Sequence, residues 1–238
     1  MTPIVLVHGG GLDRRCWDPL LPHLEPPAIA VDLPGRGAHP APLDRVTFAD
    51  CAEAVRNDVD GAAFDEILLV GHSLAGCSMP ATIGLLGDRV RHAVFVACTV
   101  PDDGTSSFDM LDPDFQQRIR EMPTGPSEPR AMDEATARIV LGTDLTEEQF
   151  SWCSERLVPE APRLNSDPVD LSPLHSASCG RTWVRTLQDI IVSATKQVRY
   201  AENVGDCPVV DLDAGHMCMV SQPENLAAIL NRIAAPHD

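Results

Sequence analysis

At 238 residues, with 18 Lys and Arg against 35 Asp and Glu, the chain carries a formal charge of −17. That balance argues against nucleic acid or an anionic membrane as a partner, since both would repel it, and it disfavours polyanionic substrates. The length fits one α/β domain with room for an insertion, and aromatics at 4% are too few for stacking to dominate recognition.

The chain opens on Thr2-Pro3-Ile4-Val5-Leu6-Val7, which reads as a strand over 4–7 rather than as a leader with a basic region and a cleavage site. No apolar run reaches the length of a membrane-spanning helix, so a cytoplasmic protein is expected. The strand ends in His8-Gly9-Gly10-Gly11. Glycines directly after a strand let a backbone N–H point into a cavity, which in hydrolases makes half of an oxyanion hole. A flexible loop is the competing reading of those glycines. Apolar spacing predicts a short helix over 16–24, and a strand over 28–31 runs into a Pro34-Gly35 turn with Asp32 as its anchor. Thr47 caps a helix over 48–59, with Asp50 in its first turn.

The sharpest signal comes next. Ile67-Leu68-Leu69-Val70 runs straight into Gly71-His72-Ser73-Leu74-Ala75-Gly76. A buried strand that reverses tightly at a Gly-x-Ser turn and enters a helix is what a nucleophile elbow requires. Ala75 stands where the motif usually has Gly, and it is small enough to be tolerated. The helix is predicted over 74–86, with Pro80 expected to delete the hydrogen bond to the Gly76 carbonyl and bend it. Another apolar strand follows over 92–98. Short apolar runs alternating with helical patterns imply parallel β-α-β units.

From Pro101 the texture changes, and through 178 no strand-like run appears. Prolines are dense, short helices are predicted over 113–122, 133–141 and 146–156, and Phe108, Phe115, Phe150 and Trp152 occur. So long an excursion is either a disordered insert or a helical lid, and its apolar positions favour the lid. The expected organisation is a core of 1–101 and 179–238 with a helical lid over 102–178. Its aromatics either line a substrate pocket or pack among themselves. Strands resume over 182–186 and 208–212, and a helix over 223–233 carries Leu226, Ile229, Leu230 and Ile233 on one face. The sum is an open, mostly parallel sheet of about six strands with flanking helices.

A serine nucleophile needs a base, and the base needs an orienting acid. His216, in Asp213-Ala214-Gly215-His216-Met217 just past the last strand, falls at the C-terminal edge of the sheet with the elbow. His8 and His72 neighbour the loop glycines and the serine and read as local packing groups, while His23, His39, His92, His175 and His237 read as solvated. Asp189 follows a strand and precedes His216, giving the order Ser, Asp, His; Asp102 or Asp103 is the other choice. Eight scattered cysteines without C-x-x-C spacing read as buried thiols, although Cys77, Cys98 and Cys218 lie near the site segments. No nucleotide fingerprint or metal cluster appears, so no cofactor is expected, only a small-molecule substrate.

On these residues the chain resembles the α/β-hydrolase superfamily, in particular the branch of plant methyl-ester esterases (methyl salicylate esterase-like) and hydroxynitrile lyases. The likeness runs through His8-Gly9-Gly10 with Trp17, Gly71-His72-Ser73-Leu74, Ala93-Val94-Phe95-Val96-Ala97 to Pro101-Asp102, Trp183-Val184-Arg185-Thr186-Leu187-Gln188-Asp189, and Asp213-Ala214-Gly215-His216-Met217. The resemblance implies an α/β-hydrolase fold with Ser73 as nucleophile, His216 as base, Asp189 as its partner, and the N–H groups of Gly10 and Leu74 as oxyanion donors. Lyases of this branch commonly carry threonine after the first loop histidine and lysine after the catalytic one. This chain has Gly9 and Met217 there, as the esterases do, and Met217 is expected beside the substrate. The expectation is a cofactor-independent serine esterase for a small, largely apolar ester. The same triad also serves lyases, cyclases, thioesterases and C–C hydrolases, and some relatives are small-molecule receptors with little turnover.

Overall fold

Six short segments pair side by side, the central ones so rich in Val, Ile and Leu that both faces must be covered. These are β1 (Ile4–Val7), β2 (Ala28–Val31), β3 (Ile67–His72), β4 (Val90–Val96), β5 (Gly180–Thr186) and β6 (Val209–Leu212). All five pairings are parallel, in the order β2-β1-β3-β4-β5-β6. The computed structural model describes residues 1–111, 113–121, 129 and 131–236, without the side chains at 115, 118 and 119.

The strand order reverses between β1 and β3, which lie side by side with Val7 opposite Gly71. Loops leaving the two strands therefore part in opposite directions and open a crevice at the C-terminal edge of the sheet. The same edge receives the ends of β4, β5 and β6, since Val96 pairs with Val184 and Thr186 with Leu212.

Alternate residues of each strand enter opposite apolar layers. Val5, Val7, Ile67, Leu69, Phe95 and Trp183 face one layer, closed by α1 (Phe48–Gly61), α2 (Ala75–Leu86) and α8 (Ala194–Val204). Ile4, Leu6, Leu68, Val70, Val94 and Val184 face the other, closed by α9 (Cys218–Ser221) and α10 (Pro223–Ala234). Between β4 and β5 the described chain forms α3 (Pro113–Glu121), α4 (Glu134–Leu141), α5 (Glu147–Ser154), α6 (Arg163–Ser166) and α7 (Ser172–Ser176). Ala137, Leu141, Phe150 and Cys153 join the second layer, whereas Ala161, Leu164, Val169, Leu171 and Leu174 join the first. The segment thus crosses from one face of the sheet to the other, and at the crossing Val158 N–H donates to the Gly11 carbonyl (2.9 Å).

Several local expectations change. The helix predicted over 16–24 is two separate 3-10 turns, Arg14–Trp17 and Leu21–His23, because Pro19 and Pro22 supply no N–H for an α-helical ladder. Trp17 and Leu20 are buried all the same. β4 stops at Val96 rather than at 98, since Ala97 takes a φ of 45°. As expected, α2 runs through Pro80 as one element, and the Ser78 and Thr82 hydroxyls donate to the Ala75 and Ser78 carbonyls. α8 has no counterpart in the sequence reading. It is capped by Ser193 and buries Gln197, Tyr200, Ala201 and Val204. Among the described residues no helix is long and apolar enough to cross a membrane.

α2 enters against the loop after β4, and a Cβ at Gly76 would lie 2.5 Å from the Thr99 carbonyl oxygen and 2.8 Å from the Cys98 Cβ. Gly76→Ala is expected to lower the unfolding free energy by about 1–3 kcal/mol in urea titrations, since backbone must shift to admit the methyl. Gly61→Ala, at the open end of α1 with no atom within 4 Å of the new Cβ, should be neutral or stabilising by about 0.5 kcal/mol.

Candidate active site

The elbow is built on strain. Ser73 follows β3 with a φ of +53°, the left-handed region that non-glycine residues occupy at a cost of about 1–3 kcal/mol. Three hydrogen bonds hold it there. Its N–H donates to the Val96 carbonyl (3.1 Å), and its carbonyl accepts from Gly76 (3.0 Å) and Thr99 (2.9 Å). The reversal aims Oγ away from the sheet, 2.9 Å from Nε2 of His216.

His216 Nδ1 lies 2.7 Å from Oδ2 of Asp189, whose carboxylate is fully buried. The carboxylate accepts the Thr186 hydroxyl (3.1 Å) and the N–H groups of Ile191 (2.8 Å) and Val192 (3.0 Å). Burial by itself works to raise its pKa. The neighbouring His216 and the amide donors outweigh that effect and hold the carboxyl below its ordinary value. The other two candidate acids are engaged elsewhere. Asp102 takes Arg199 Nη2 at 2.5 Å and Asn203 Nδ2 at 3.1 Å on α8, and Asp103 accepts the Leu171 N–H (2.8 Å).

The loop that carries Asp189 depends on a residue the sequence did not single out. Gln197, fully buried on α8, donates to the Thr186 carbonyl (3.0 Å), the Thr186 hydroxyl (3.0 Å) and the Val192 carbonyl (2.7 Å). Its oxygen accepts from Trp183 Nε1 (3.2 Å) and Thr186 N–H (3.1 Å). A lone polar residue inside a buried helical stripe is the one signal that pointed to it.

Gly10 and Leu74 come together across the crevice, since a Cβ at Gly10 would lie 2.9 Å from Leu74 Cδ2. Among the described residues neither N–H donates to a protein acceptor. The peptide that carries the Gly10 N–H is oriented from its other end. Leu33 N–H donates to His8 Nε2 (3.1 Å), so Nδ1 carries the proton and donates to the Gly9 carbonyl (2.8 Å). His72 Nε2 likewise donates to the His216 carbonyl (2.9 Å), and its Nδ1 has no partner among the described residues. Gly215, next to His216, donates its N–H to Asp144 of the β4–β5 segment (2.7 Å).

The residues expected to contact substrate divide. Met217 is fully buried and Phe150 is 3% exposed, and both belong to the second apolar layer. Trp152 is half-buried against that layer under the Arg156 guanidinium (4.2 Å from the ring centre), and half-buried Phe108 carries Arg120 at 5.1 Å. The Phe115 side chain lies outside the described residues, as does His237. His39, read as solvated, is paired with Asp58 at 3.0 Å, and His175 Nε2 donates to the Asn203 carbonyl (2.8 Å). Asp32 anchors its turn by accepting the N–H groups of Arg14 (3.0 Å) and Ala38 (3.2 Å). Cys77, Cys98 and Cys218 are buried, and burial raises each thiol pKa, that of Cys77 to about 12, so they are protonated and shielded.

Comparison with known proteins identifies the family. The model of the alpha/beta hydrolase family matches residues 4–229. Polyneuridine aldehyde esterase of Rauvolfia serpentina is 36% identical over 257 residues, covering 95% of this chain and 93% of that protein. A probable esterase of rice, PIR7A, is 28% identical over 259 residues, covering 98% and 97%. Among solved structures, an extracellular alpha/beta-hydrolase from a Paenibacillus species, described as sharing structural and functional homology with tobacco salicylic acid binding protein 2, superposes with a TM-score of 0.86 at 17% identity, covering 98% of each chain.

The two neutral imidazoles make stability depend on acid. Burial is the main cause lowering His8 from 6.5 to about 4 and His72 from 6.5 to about 3. Below pH 6.5 the unfolded chain therefore binds protons that the folded chain refuses, and stability falls as pH falls. Asp189 acts lower down: its depressed pKa contributes stability above the unfolded value of 3.8, lost as pH drops through the folded value. Between pH 6.5 and 4.5 the urea unfolding free energy should drop by roughly 3–5 kcal/mol, at up to about 1.4 kcal/mol per pH unit for each ring. His72→Asn, which cannot titrate, should show about half that slope.

Proposed function

The chain belongs to the alpha/beta hydrolase family and is a carboxylic-ester hydrolase, and we propose that it cleaves a small, largely apolar ester through an acyl-enzyme on Ser73. The observation that carries this reading is the hydrogen-bonded chain from Ser73 through His216 to Asp189, lying beside two backbone N–H groups without protein acceptors among the described residues.

Ser73 Oγ attacks the ester carbonyl while His216 Nε2 takes its proton. Negative charge then gathers on the former carbonyl oxygen, where the Gly10 and Leu74 amides receive it at no cost in reorganisation. Asp189 stabilises the imidazolium and keeps Nδ1 protonated, so that Nε2 stays free to accept. His216 next protonates the departing alkoxide, the alcohol leaves, and water activated by the same nitrogen releases the acid. His72 has its pKa lowered to about 3, so it brings no second charge to compete with the imidazolium 4.7 Å away.

The 102–178 segment serves as a lid over this site, a reading supported by its crossing above Gly11 and by the Asp144 contact to Gly215. The substrate is a small molecule, with neither nucleic acid nor membrane as partner and no cofactor. Eight free cysteines suit a reducing, cytoplasmic setting. Lyase chemistry is disfavoured at both positions where the lyases differ. A Cβ at Gly9 would sit 2.8 Å from the Ser73 Cβ, which leaves no room for a threonine, and buried Met217 offers no charge to a departing cyanide.

A fluorophosphonate probe is expected to label Ser73, located by peptide mapping, and labelling that persists in Ser73→Ala would move the nucleophile elsewhere. Asp189→Asn should lower kcat by roughly 10⁴-fold while a product acid still binds, as expected when the base is held in the wrong tautomer. Aryl acetates should turn over with negligible Ser73-dependent cyanide release from mandelonitrile. Comparable rates on the two substrates would overturn the esterase assignment.

A further inference from the structure

Resting on the proposed oxyanion role of Gly10, we infer that Glu160, in the segment between β4 and β5, is a positioning residue that aims the Gly10 N–H, with Arg36 as its neutralising partner. Gly10 is flanked by two peptide planes. His8 holds the first through the Gly9 carbonyl, as described above. Glu160 holds the second: its Oε2 accepts the Gly11 N–H at 2.7 Å. The Gly11 carbonyl accepts from Val158 (2.9 Å), so both faces of this glycine, at φ +67°, are gripped by the same stretch of chain. With both planes fixed, the Gly10 N–H has one direction left. A single unpinned plane would let the N–H swing, and an oxyanion donor acts only when it is aimed beforehand.

A carboxylate so placed carries a hazard. Its Oε2 lies 3.1 Å from where a Gly10 Cβ would be, close enough to repel a developing oxyanion. The structure answers this with Arg36, whose Nη2 lies 2.5 Å from Oε1 and whose side chain is 1% exposed. The Ala161 N–H takes the same oxygen (2.6 Å). Glu160 thereby presents a satisfied, charge-balanced acceptor to Gly11. Arg36 stands on the loop after β2, so the donor's aim rests on core and β4–β5 segment together. Docking of that segment and completion of the oxyanion hole become one event.

The test compares Glu160→Gln and Glu160→Asp with the parent protein, using an aryl acetate and an aryl trifluoromethyl ketone that forms a tetrahedral adduct on Ser73. Glu160→Gln keeps an acceptor for Gly11 but turns an amide toward Arg36. Glu160→Asp keeps the charge pair and withdraws from Gly11. Glu160→Asp is expected to lose about 10- to 100-fold in kcat with KM changed less than threefold, since a donor misplaced by about an ångström costs on that scale, and Glu160→Gln, which keeps the Gly11 contact and gives up the charge pair, should lose less. Ketone affinity should fall by the same factor, and product-acid affinity should hold. A raised KM with kcat and ketone binding intact would make Glu160 only an anchor of the segment and overturn the inference. Should Glu160→Gln fail to fold, Glu160→Asp with parental kcat and ketone affinity overturns it alone. If the parent protein neither hydrolyses the acetate nor binds the ketone, the oxyanion reading falls first and this inference with it.

Discussion

The buried contact between Asp189 and His216 is the constraint on which the rest of the structure turns. A carboxylate removed from water is costly unless every acceptor position is filled, and here an imidazole, a hydroxyl and two amides fill them. That requirement explains the shape of the surrounding chain. The β5–α8 connection must curl so that two successive N–H groups converge on one oxygen. Gln197 must then stand inside the core, because only a side chain with donors and an acceptor can satisfy the carbonyls and amide left over by that curl. A single buried carboxylate thus accounts for the polar residue at the centre of an apolar helix face.

Strain at Ser73 is supported in the same way. Its backbone is held by β4 and by the first turn of α2, elements that are stable for their own reasons in a two-layered core. Gly76 admits the loop after β4 to van der Waals contact with α2, and Gly9 admits the end of β1 to the serine. The parallel sheet brings these pieces to one edge, and the reversal of strand order opens the space above them.

Nearby charge is handled by contrast. His8 and His72 are kept neutral by burial, each held in one tautomer by a backbone carbonyl, and they serve as hydrogen-bonding struts. Around them the segment between β4 and β5 sends one carboxylate to each site loop, Asp144 to Gly215 and Glu160 to Gly11. The segment therefore bears on the loop of His216 and on the loop of Gly10.

Local chemistry was legible in the sequence because it is local. Six strands, the Gly-x-Ser reversal, the glycines after β1 and the histidine after β6 each follow from runs and turns a few residues long, and their order along the chain implied one sheet edge. What the sequence left open depends on partners far apart in the chain. The place of Asp189 after a strand favoured it over Asp102 and Asp103, but the partners that hold the three apart, His216 for one and Arg199, Asn203 and Leu171 for the others, came only with the tertiary structure. Phe150 and Met217 are apolar in either role, and only the tertiary structure placed both in the second apolar layer. The sequence singles out neither Gln197 nor Glu160, because the need they meet, a stranded backbone group, exists only once the chain has folded around it.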